Sequence, residues 1–294
     1  MQLENSNQPR PDDQPQGGFC RASLGALSIR RVNKVYDPQG VHVVALRDCS
    51  LEIGAGEFVA VVGPSGCGKS TLLNIMAGFD NVSDGQILLD GAPLADTQTK
   101  PRPGSDRVVV FQSGALFPWK TVLDNVTYGP VVQGRRDRAD AQERAREMLA
   151  RVGLSGIEDS YPGQLSSGMQ RRVEIIRALI NDPKVLLLDE PFRAMDTVTK
   201  SASHEYLLEL YNATGKTIFF ITHDLEEAIF LADKVAVMTT RPGHIKMEIM
   251  VDLPRPRDYR LLASPEFLRL KSQAVEAVHE EAVKAFQAGE REMA

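Results

Sequence analysis

One stretch near the start of the chain restricts the fold more than any other. An apolar run, Glu57–Val62, leads into a glycine-rich turn, and Ser70–Ala77 then has the pattern of a helix. A continuous apolar run indicates a strand covered on both faces, which is typical of a mostly parallel sheet. The turn matches the pattern G-x-x-x-x-G-K-[ST] and consists of Gly63, Pro64, Ser65, Gly66, Cys67, Gly68, Lys69, Ser70 and Thr71.

This turn predicts a binding loop for the phosphates of a nucleotide. Its glycines let successive backbone N–H groups point inward as an anion nest, and the following helix adds its positive N-terminal end. Lys69 carries a flexible ammonium that can reach the outer phosphates, and the Ser70 hydroxyl is placed for Mg²⁺. Cys67 occupies a variable position of the motif, and we assign it no redox role. We therefore predict that the phosphates of a nucleotide and Mg²⁺ bind here.

Buried strands recur further along the chain. The candidates are Val108–Phe111, Lys184–Asp189 and Thr217–Thr222, with helical stretches between them. Strands that alternate with helices predict a mostly parallel sheet. The segment from about 113 to 165 interrupts this alternation with an aromatic-proline loop and a charged helix, Asp137–Val152. It predicts a helical insertion in an α/β core.

The N-terminal part differs from the rest of the chain in its residue pattern. Residues 1–23 are rich in polar residues, Pro and Gly, with almost nothing to bury, which predicts a disordered tail. Three short alternating stretches, Leu27–Val32, His42–Leu46 and Cys49–Ile53, then predict antiparallel strands. The predicted fold class is therefore α/β, with a mostly parallel sheet, an N-terminal antiparallel β subdomain and a helical insertion.

Two acids end one of the buried strands. Asp189 stands at its carboxyl end, where it would hold Mg²⁺ through water, and the adjacent Glu190 would orient and polarise the attacking water. His223 follows another strand end, where its imidazole could contact the γ-phosphate. An isolated pair of acids would indicate a solvated turn, and a lone histidine a loop residue. Their shared position at the mouth of one sheet favours the catalytic interpretation.

A second motif carries a family resemblance. Residues 165–172 read L-S-S-G-M-Q-R-R, which resembles the L-S-G-G-[QM]-Q-R signature of ABC ATPases. The resemblance implies a P-loop NTPase (RecA-like) core over residues 24–255, with residues 256–294 as a C-terminal helical extension. It also implies a head-to-tail homodimer around two ATP, in which Ser166 and Gly168 contact the nucleotide of the second subunit. A hydroxyl, a flexible glycine and a helix N-terminus suit an anion site.

Other family positions match residue by residue. Tyr36 matches the aromatic residue that stacks on adenine, although a tyrosine that merely ends a strand is the alternative. Gln112 matches the glutamine that contacts Mg²⁺ and water, and Asp196 matches the aspartate of a loop that communicates across the dimer. Two positions depart from the family pattern. Ser167 replaces the first glycine of the signature, and Arg193 stands where a small residue is usual.

Three further segments resemble importer ATPases for nitrate, sulfonates and taurine: Leu116–Val126, Arg241–Ile245 and Leu253–Arg257. This resemblance implies a polytopic membrane permease as partner and, indirectly, an external solute-binding protein. The loop after the glutamine docks a permease helix in such importers. Three of its residues are therefore contact candidates, and packing inside the insertion is their alternative: Phe117, Pro118 and Trp119.

Composition narrows the remaining choices. The net charge of −5 and pI of about 5.6 argue against a nucleic-acid partner bound through bulk positive charge. No apolar run approaches the roughly 18 residues that span a bilayer, and three cysteines at unrelated spacings favour a reducing compartment. We predict a cytoplasmic protein, peripheral on the inner face of the membrane. The alternatives are an exporter ATPase, or a soluble DNA-repair or translation-factor ATPase, which carries a coiled coil, zinc cysteines or a second cassette.

The C-terminal segment predicts one more helix. Ser264-Pro265-Glu266 combines a capping hydroxyl, a first-turn proline and an early acid. We expect this helix to dock on the domain's own surface, with partner binding as the alternative. The predicted docking face consists of Leu268, Val275, Val278, Ala282 and Phe286.

Overall fold

A computed structural model describes residues 24–37, 40–193 and 195–287 of the chain. The predicted disordered tail, 1–23, lies outside the described residues. The structure contains ten described strands: β1 Leu27–Tyr36, β2 Val43–Ile53, β3 Phe58–Val62, β4 Asp84–Leu89, β5 Ala92–Ala95, β6 Arg107–Val110, β7 Val185–Asp189, β8 Thr217–Ile221, β9 Lys234–Met238 and β10 Ile245–Met250. The described helices are α1 Lys69–Ala77, α2 Val122–Val132, α3 Arg138–Arg151, α4 Ser167–Leu179, α5 Thr197–Thr214, α6 Leu225–Leu231 and α7 Pro265–Gln287.

The larger sheet has the order β10-β9-β3-β8-β7-β6 and is parallel except for the edge strand β10. All five residues of β3 are buried, as its continuous apolar run predicts. Alternate residues of β3 enter different cores: Phe58, Ala60 and Val62 join one, and Val59 and Val61 join the other. The sheet therefore has an apolar core on each face, and its strand ends are held rigidly.

The smaller sheet is antiparallel, with the order β2-β1-β4-β5. The prediction of two strands at 42–46 and 49–53 is wrong, because both belong to the single strand β2. Asp48 has a positive φ of 49° in the middle of β2, and its N–H donates to the Asn33 side chain at 3.0 Å. The chain is kinked there, yet its pairing with β1 continues on both sides.

The segment 113–165 contains α2 and α3, the helices of the predicted insertion. The Asp137 carboxylate caps α3 by accepting the Asp140 N–H at 2.8 Å. The helix buries Ala141, Ala145 and Leu149 against the rest of the insertion. Its charged residues face outward, which explains the low overall hydrophobicity of a helix that is nevertheless firmly docked.

Helix α7 docks on the large sheet and α6, but through a different face from the one predicted. The buried residues are Phe267, Leu270, Ala274, Ala277 and Glu281. Of the predicted face, Leu268, Val275 and Phe286 are exposed and only Val278 packs on the core. The predicted face and the buried face are adjacent on the helix. The buried face is hard to recognise in the sequence because it includes a glutamate.

Glu281 is the reason that α7 tolerates a carboxylate on its inner face. It is 1% exposed and accepts the Thr240 N–H at 3.2 Å, while Lys246 and Lys284 approach it at 3.0 and 2.6 Å. Burial alone would raise the pKa of Glu281, but these lysines outweigh it and lower the pKa. The C-terminal helix is thereby fastened to the connection between β9 and β10. Among the described residues, no helix is long and apolar enough to cross a membrane.

Candidate active site

A cleft of about 450 Å³ lies where β3, β6, β7 and β8 end. Because these strands are parallel, their carboxyl ends meet at one edge, and the loops after them converge. The structure brings most of the predicted site residues into this cleft. The predicted residues that line it are Tyr36, Gly63, Ser65, Gly66, Cys67, Gly68, Lys69, Ser70, Thr71, Gln112, Glu190 and His223.

The glycine-rich turn has the geometry of an anion nest. Gly66 and Gly68 have φ values of 75° and 100°, and Gly68 caps α1 in the left-handed conformation. The buried Lys69 ammonium donates to the Gly63 and Pro64 carbonyl oxygens at 2.8 and 2.9 Å, and it lies 3.6 Å from the Cys67 sulfur. The ammonium is thus held inside the loop by weak, neutral acceptors, which phosphate oxygens can replace.

Ser70 and Asp189 meet beside this loop. The Ser70 hydroxyl donates to an Asp189 carboxylate oxygen at 3.4 Å. Burial raises the pKa of Asp189; the Ser70 hydrogen bond opposes this shift, the Glu190 charge adds to it, and the Lys69 charge opposes it. A half-buried carboxylate short of positive charge favours a cation. Hard oxygen donors of this kind fit Mg²⁺, which takes its remaining ligands from phosphates and water.

Glu190 directly follows β7 and has a positive φ of 43°. Its N–H donates to the Ile221 carbonyl at 3.0 Å, which fixes the turn against β8. One carboxylate oxygen, Oε2, lies 3.3 Å from His223 Nδ1 and 3.1 Å from a terminal nitrogen of Arg193. The side chain is 14% exposed, whereas those of His223 and Arg193 are 59% and 56% exposed. The acid is therefore enclosed and its two partners stand at the surface of the cleft.

The backbone of Gln112 is held in place by hydrogen bonds from Arg171. Its carbonyl oxygen and that of Phe111 accept hydrogen bonds from Arg171 at 2.7 and 2.6 Å. Arg171 is buried in α4, where it also pairs with Glu174 at 2.7 Å. Glu174 in turn accepts the Ala115 N–H at 2.6 Å. This network ties the loop after β6 to α4 and leaves the Gln112 side chain exposed in the cleft.

Tyr36 lies at the rim of the cleft and is 37% exposed. Its hydroxyl donates to Asp80 at 2.8 Å, and the Lys34 ammonium lies 4.8 Å from its ring centroid. Burial and the Asp80 carboxylate raise the pKa of the Tyr36 phenol, with a hydrogen bond to Thr71 opposing them. Lys34 also pairs with Asp80. The ring is thus fixed on one side and presented to the cleft on the other.

Ser166 and Gly168 lie outside this cleft. The Ser166 hydroxyl caps α4 by accepting the Met169 N–H at 3.3 Å, and both Ser166 and Ser167 are exposed. Gly168 is buried, and a side chain there would clash with Thr199, since its Cβ would lie 2.4 Å from a methyl carbon. Asp196 caps α5 nearby by accepting the Thr199 N–H at 3.0 Å.

Sequence reasoning missed two parts of the site. Arg241 lines the cleft and donates to the Gly66 carbonyl at 3.4 Å. Its segment attracted notice only as a family resemblance, because it lies far from every motif along the chain. Asp80 was missed as the partner of Tyr36. Only its position shortly after α1 could have indicated that it returns to the N-terminal sheet.

The fold and this site together define a class. A parallel sheet whose strands end beside an anion nest, a buried lysine and two acids is that of the phosphate-loop nucleotide hydrolases. Comparison with known proteins agrees and goes further. The family model described as ABC transporter matches residues 46–193, and the chain therefore belongs to the ABC transporter family. It is an ATP-binding ATPase.

Individual relatives match over most of their length. The chain is 43% identical over 255 residues to the nitrate import ATP-binding protein NrtD of Synechocystis sp., covering 84% of this chain and 92% of that protein. It is 44% identical over 245 residues to the taurine import ATP-binding protein TauB of Rhizobium johnstonii, covering 82% and 91%. A dimeric ATP-binding cassette bound to ADP and Pi has a TM-score of 0.66, 30% identity and coverage of 78% and 100%.

Proposed function

We propose that this chain powers solute import through a membrane permease, working as a pair of subunits that closes around two ATP. The observation that carries the proposal is the convergence of the anion nest, Lys69, Glu190 and His223 on one cleft. Asp189 lies behind this lining and accepts a hydrogen bond from Ser70. The relatives named as nitrate and taurine import proteins support import as the direction. A small anion such as nitrate, a sulfonate or taurine is the proposed solute.

The residues of the cleft divide the work. The nest and Lys69 bind the phosphates, with the ammonium exchanging two neutral carbonyl acceptors for charged oxygens. Ser70, Asp189 and Gln112 would hold Mg²⁺, which when bound neutralises charge that develops on the phosphates. Tyr36 stacks on the adenine.

Glu190 orients the attacking water and accepts its proton. Its enclosed position favours this role, because a carboxylate shielded from bulk water is a better oriented acceptor. His223 Nδ1 approaches Glu190 Oε2, and the imidazole lies on the open side of the cleft, from which it can reach the γ-phosphate. The two residues follow adjacent parallel strands, β7 and β8, so the sheet itself sets their spacing.

The proposed pairing of two subunits is supported by a predicted phosphate-binding residue that lies outside the cleft of its own chain. Ser166 is exposed at the start of α4, a thirteen-residue helix, and lies outside the cleft of its own chain. A second copy can place this helix start over the bound phosphates, as an anion site requires. The dimeric cassette bound to ADP and Pi supports the same arrangement.

A groove of about 520 Å³ beside the insertion is the proposed permease contact. Phe79 and Phe111 stack at 5.9 Å along it, and Phe117 is held inside by Tyr128 and by Arg177, whose guanidinium lies 4.4 Å from the ring. Trp119 stacks on Phe117 but is 71% exposed. Of the two alternatives given for these residues, packing inside the insertion applies to Phe117, and contact with a partner remains open to Trp119. Pro118 is exposed next to it.

The Glu190→Gln variant tests the catalytic assignment. We expect it to bind ATP with unchanged affinity, to form a stable dimer in size-exclusion chromatography with ATP, and to lose at least about 100-fold in turnover, since the base is gone. Glu209→Gln, an exposed change on α5, is the matched control and should keep full turnover. Wild-type turnover in Glu190→Gln would refute the assignment.

Co-purification tests the partner. The intact protein should recover polytopic permease subunits from membranes of its source, and Trp119→Ala should recover several-fold less while retaining its ATPase rate. Recovery of DNA or ribosomes in place of a permease would contradict the transport role and leave the ATPase assignment standing.

A further inference from the structure

Arg193 is a cation with no assigned role, and it touches the proposed base. Its guanidinium donates to Glu190 Oε2 at 3.1 Å, the oxygen that also faces His223 Nδ1 at 3.3 Å. Among the described residues, no partner is found for the other oxygen, Oε1. Arg193 and His223 therefore both approach one oxygen of Glu190 and leave the other available in the cleft.

The local fold explains why Arg193 returns to Glu190. The Arg193 N–H donates to the Glu190 carbonyl at 3.2 Å, so the chain turns back on itself directly after β7. Phe192 is 1% exposed and anchors this turn between His204 and Phe220. Phe192 is the buried residue of the turn, and Arg193 next to it is exposed and lines the cleft.

The charge balance of the cleft gives the contact a purpose. Asp189 and Glu190 are adjacent, and no cation within salt-bridge distance of Asp189 is found among the described residues. Two neighbouring carboxylates repel each other, and an unpaired Glu190 would rotate toward solvent to reduce this repulsion. A planar guanidinium is suited to hold a carboxylate in one orientation. Arg193 opposes that rotation from within the same turn.

We propose that Arg193 is a positioning residue for Glu190, holding Oε2 so that Oε1 faces the attacking water. The inference rests on the proposed role of Glu190 as base. It gives a function to Arg193, one of the two residues at which this chain departs from the family pattern. The pair is more than half exposed on the arginine side, so its effect is modest, roughly two- to fivefold in rate.

Steady-state kinetics of Arg193→Ala test the proposal. We expect kcat to fall roughly two- to fivefold with KM for ATP unchanged, because Arg193 acts on the base and not on the nucleotide. Arg193→Lys should recover part of the loss, since it keeps the charge but not the planar fork. Arg146→Ala, which removes an exposed positive charge from α3, is the control and should retain kcat.

A second measurement separates positioning from an effect on pairing. In the Glu190→Gln background, adding Arg193→Ala should leave the ATP-dependent dimer intact in size-exclusion chromatography. Loss of that dimer, or an unchanged or increased kcat in Arg193→Ala, would overturn the proposal. If Glu190→Gln itself keeps wild-type turnover, the proposed function fails first. If it loses turnover while Arg193→Ala does not, only the role of Arg193 is refuted.

Discussion

The contact of Gly243 with the phosphate loop leads to a sharp prediction. Gly243 lies between β9 and β10, where its N–H donates to Ala45 at 2.9 Å and its carbonyl accepts from Arg47 at 3.1 Å. A Cβ on Gly243 would lie 1.8 Å from the Cys67 carbonyl oxygen and 2.9 Å from the Met238 terminal methyl. The methionine can move aside, but the carbonyl belongs to the backbone of the nest.

Gly243→Ala therefore forces two backbone segments apart by more than about 1 Å. Overpacking of this kind costs about 1–3 kcal/mol, and weakening the two backbone hydrogen bonds adds about 1 kcal/mol. At roughly 2–4 °C per kcal/mol for a domain of this size class, we expect Tm to fall by about 4–16 °C. Because the displaced atom is the Cys67 carbonyl, Kd for ATP should also rise, by roughly tenfold.

Differential scanning calorimetry and titration with a fluorescent ATP analogue measure the two effects. Gly163→Ala is the matched control, since a Cβ at Gly163 meets nothing within 4 Å and Gly163 has no positive φ. It should lie within about 0.5 kcal/mol of the wild type. If Gly243→Ala melts within 1 °C of the wild type and binds ATP normally, the close contact does not constrain the loop.

Two further changes give independent tests. Ser167→Gly should keep or raise the ATPase rate, because it restores backbone freedom at an exposed position of α4; a large loss in a steady-state assay would reveal a role for the hydroxyl. Asp233→Asn should lower Tm at pH 7. Burial opposes ionisation of Asp233, but hydrogen bonds from Tyr211 and Arg255 and the Arg255 charge lower its pKa. Its stabilisation is therefore present above the unfolded-state pKa near 3.9 and lost as pH falls through the lower folded-state value. In a melting series, the Tm difference from the wild type should have its full size at pH 7 and should shrink toward zero as the pH falls below about 4.

The parts of the site that sequence reasoning predicted share one property. The nest, Asp189 and His223 each lie at the carboxyl end of a strand that is recognisable from its apolar run, so their meeting place follows from parallel pairing. Arg193 and its contact with Glu190 depend on a tight turn with a buried Phe192. No pattern of residue types encodes which way such a turn directs its exposed side chain.

The missed strands have another cause. β4, β5 and β10 mix buried and exposed residues, and β10 is an edge strand with exposed Met250 and Glu248. β9 is buried along its whole length and has the same length as β3, so its omission has no such explanation. β4 and β9 pair with strands far away along the chain, β1 and β3, whereas β5 and β10 are added by hairpins to β4 and β9. Strand formation at these positions depends on the neighbouring strand more than on local preference. The inward face of α7 was missed because a charged residue, Glu281, belongs to it, and its partners come from the β9–β10 region and from the next turn of the helix.

The Glu281 contact also bears on how such proteins can be recombined. The carboxylate holds the Thr240 N–H, the adjacent Arg241 borders Gly66, and Gly243 lies against Cys67. A chimera that exchanges the last helix with that of a relative would therefore alter the outer wall of the nucleotide cleft. The exchange should be neutral only when the segment 239–246 is transferred together with the helix. In this protein, the segments that must be exchanged together to preserve ATP binding include residues some two hundred positions after the phosphate loop.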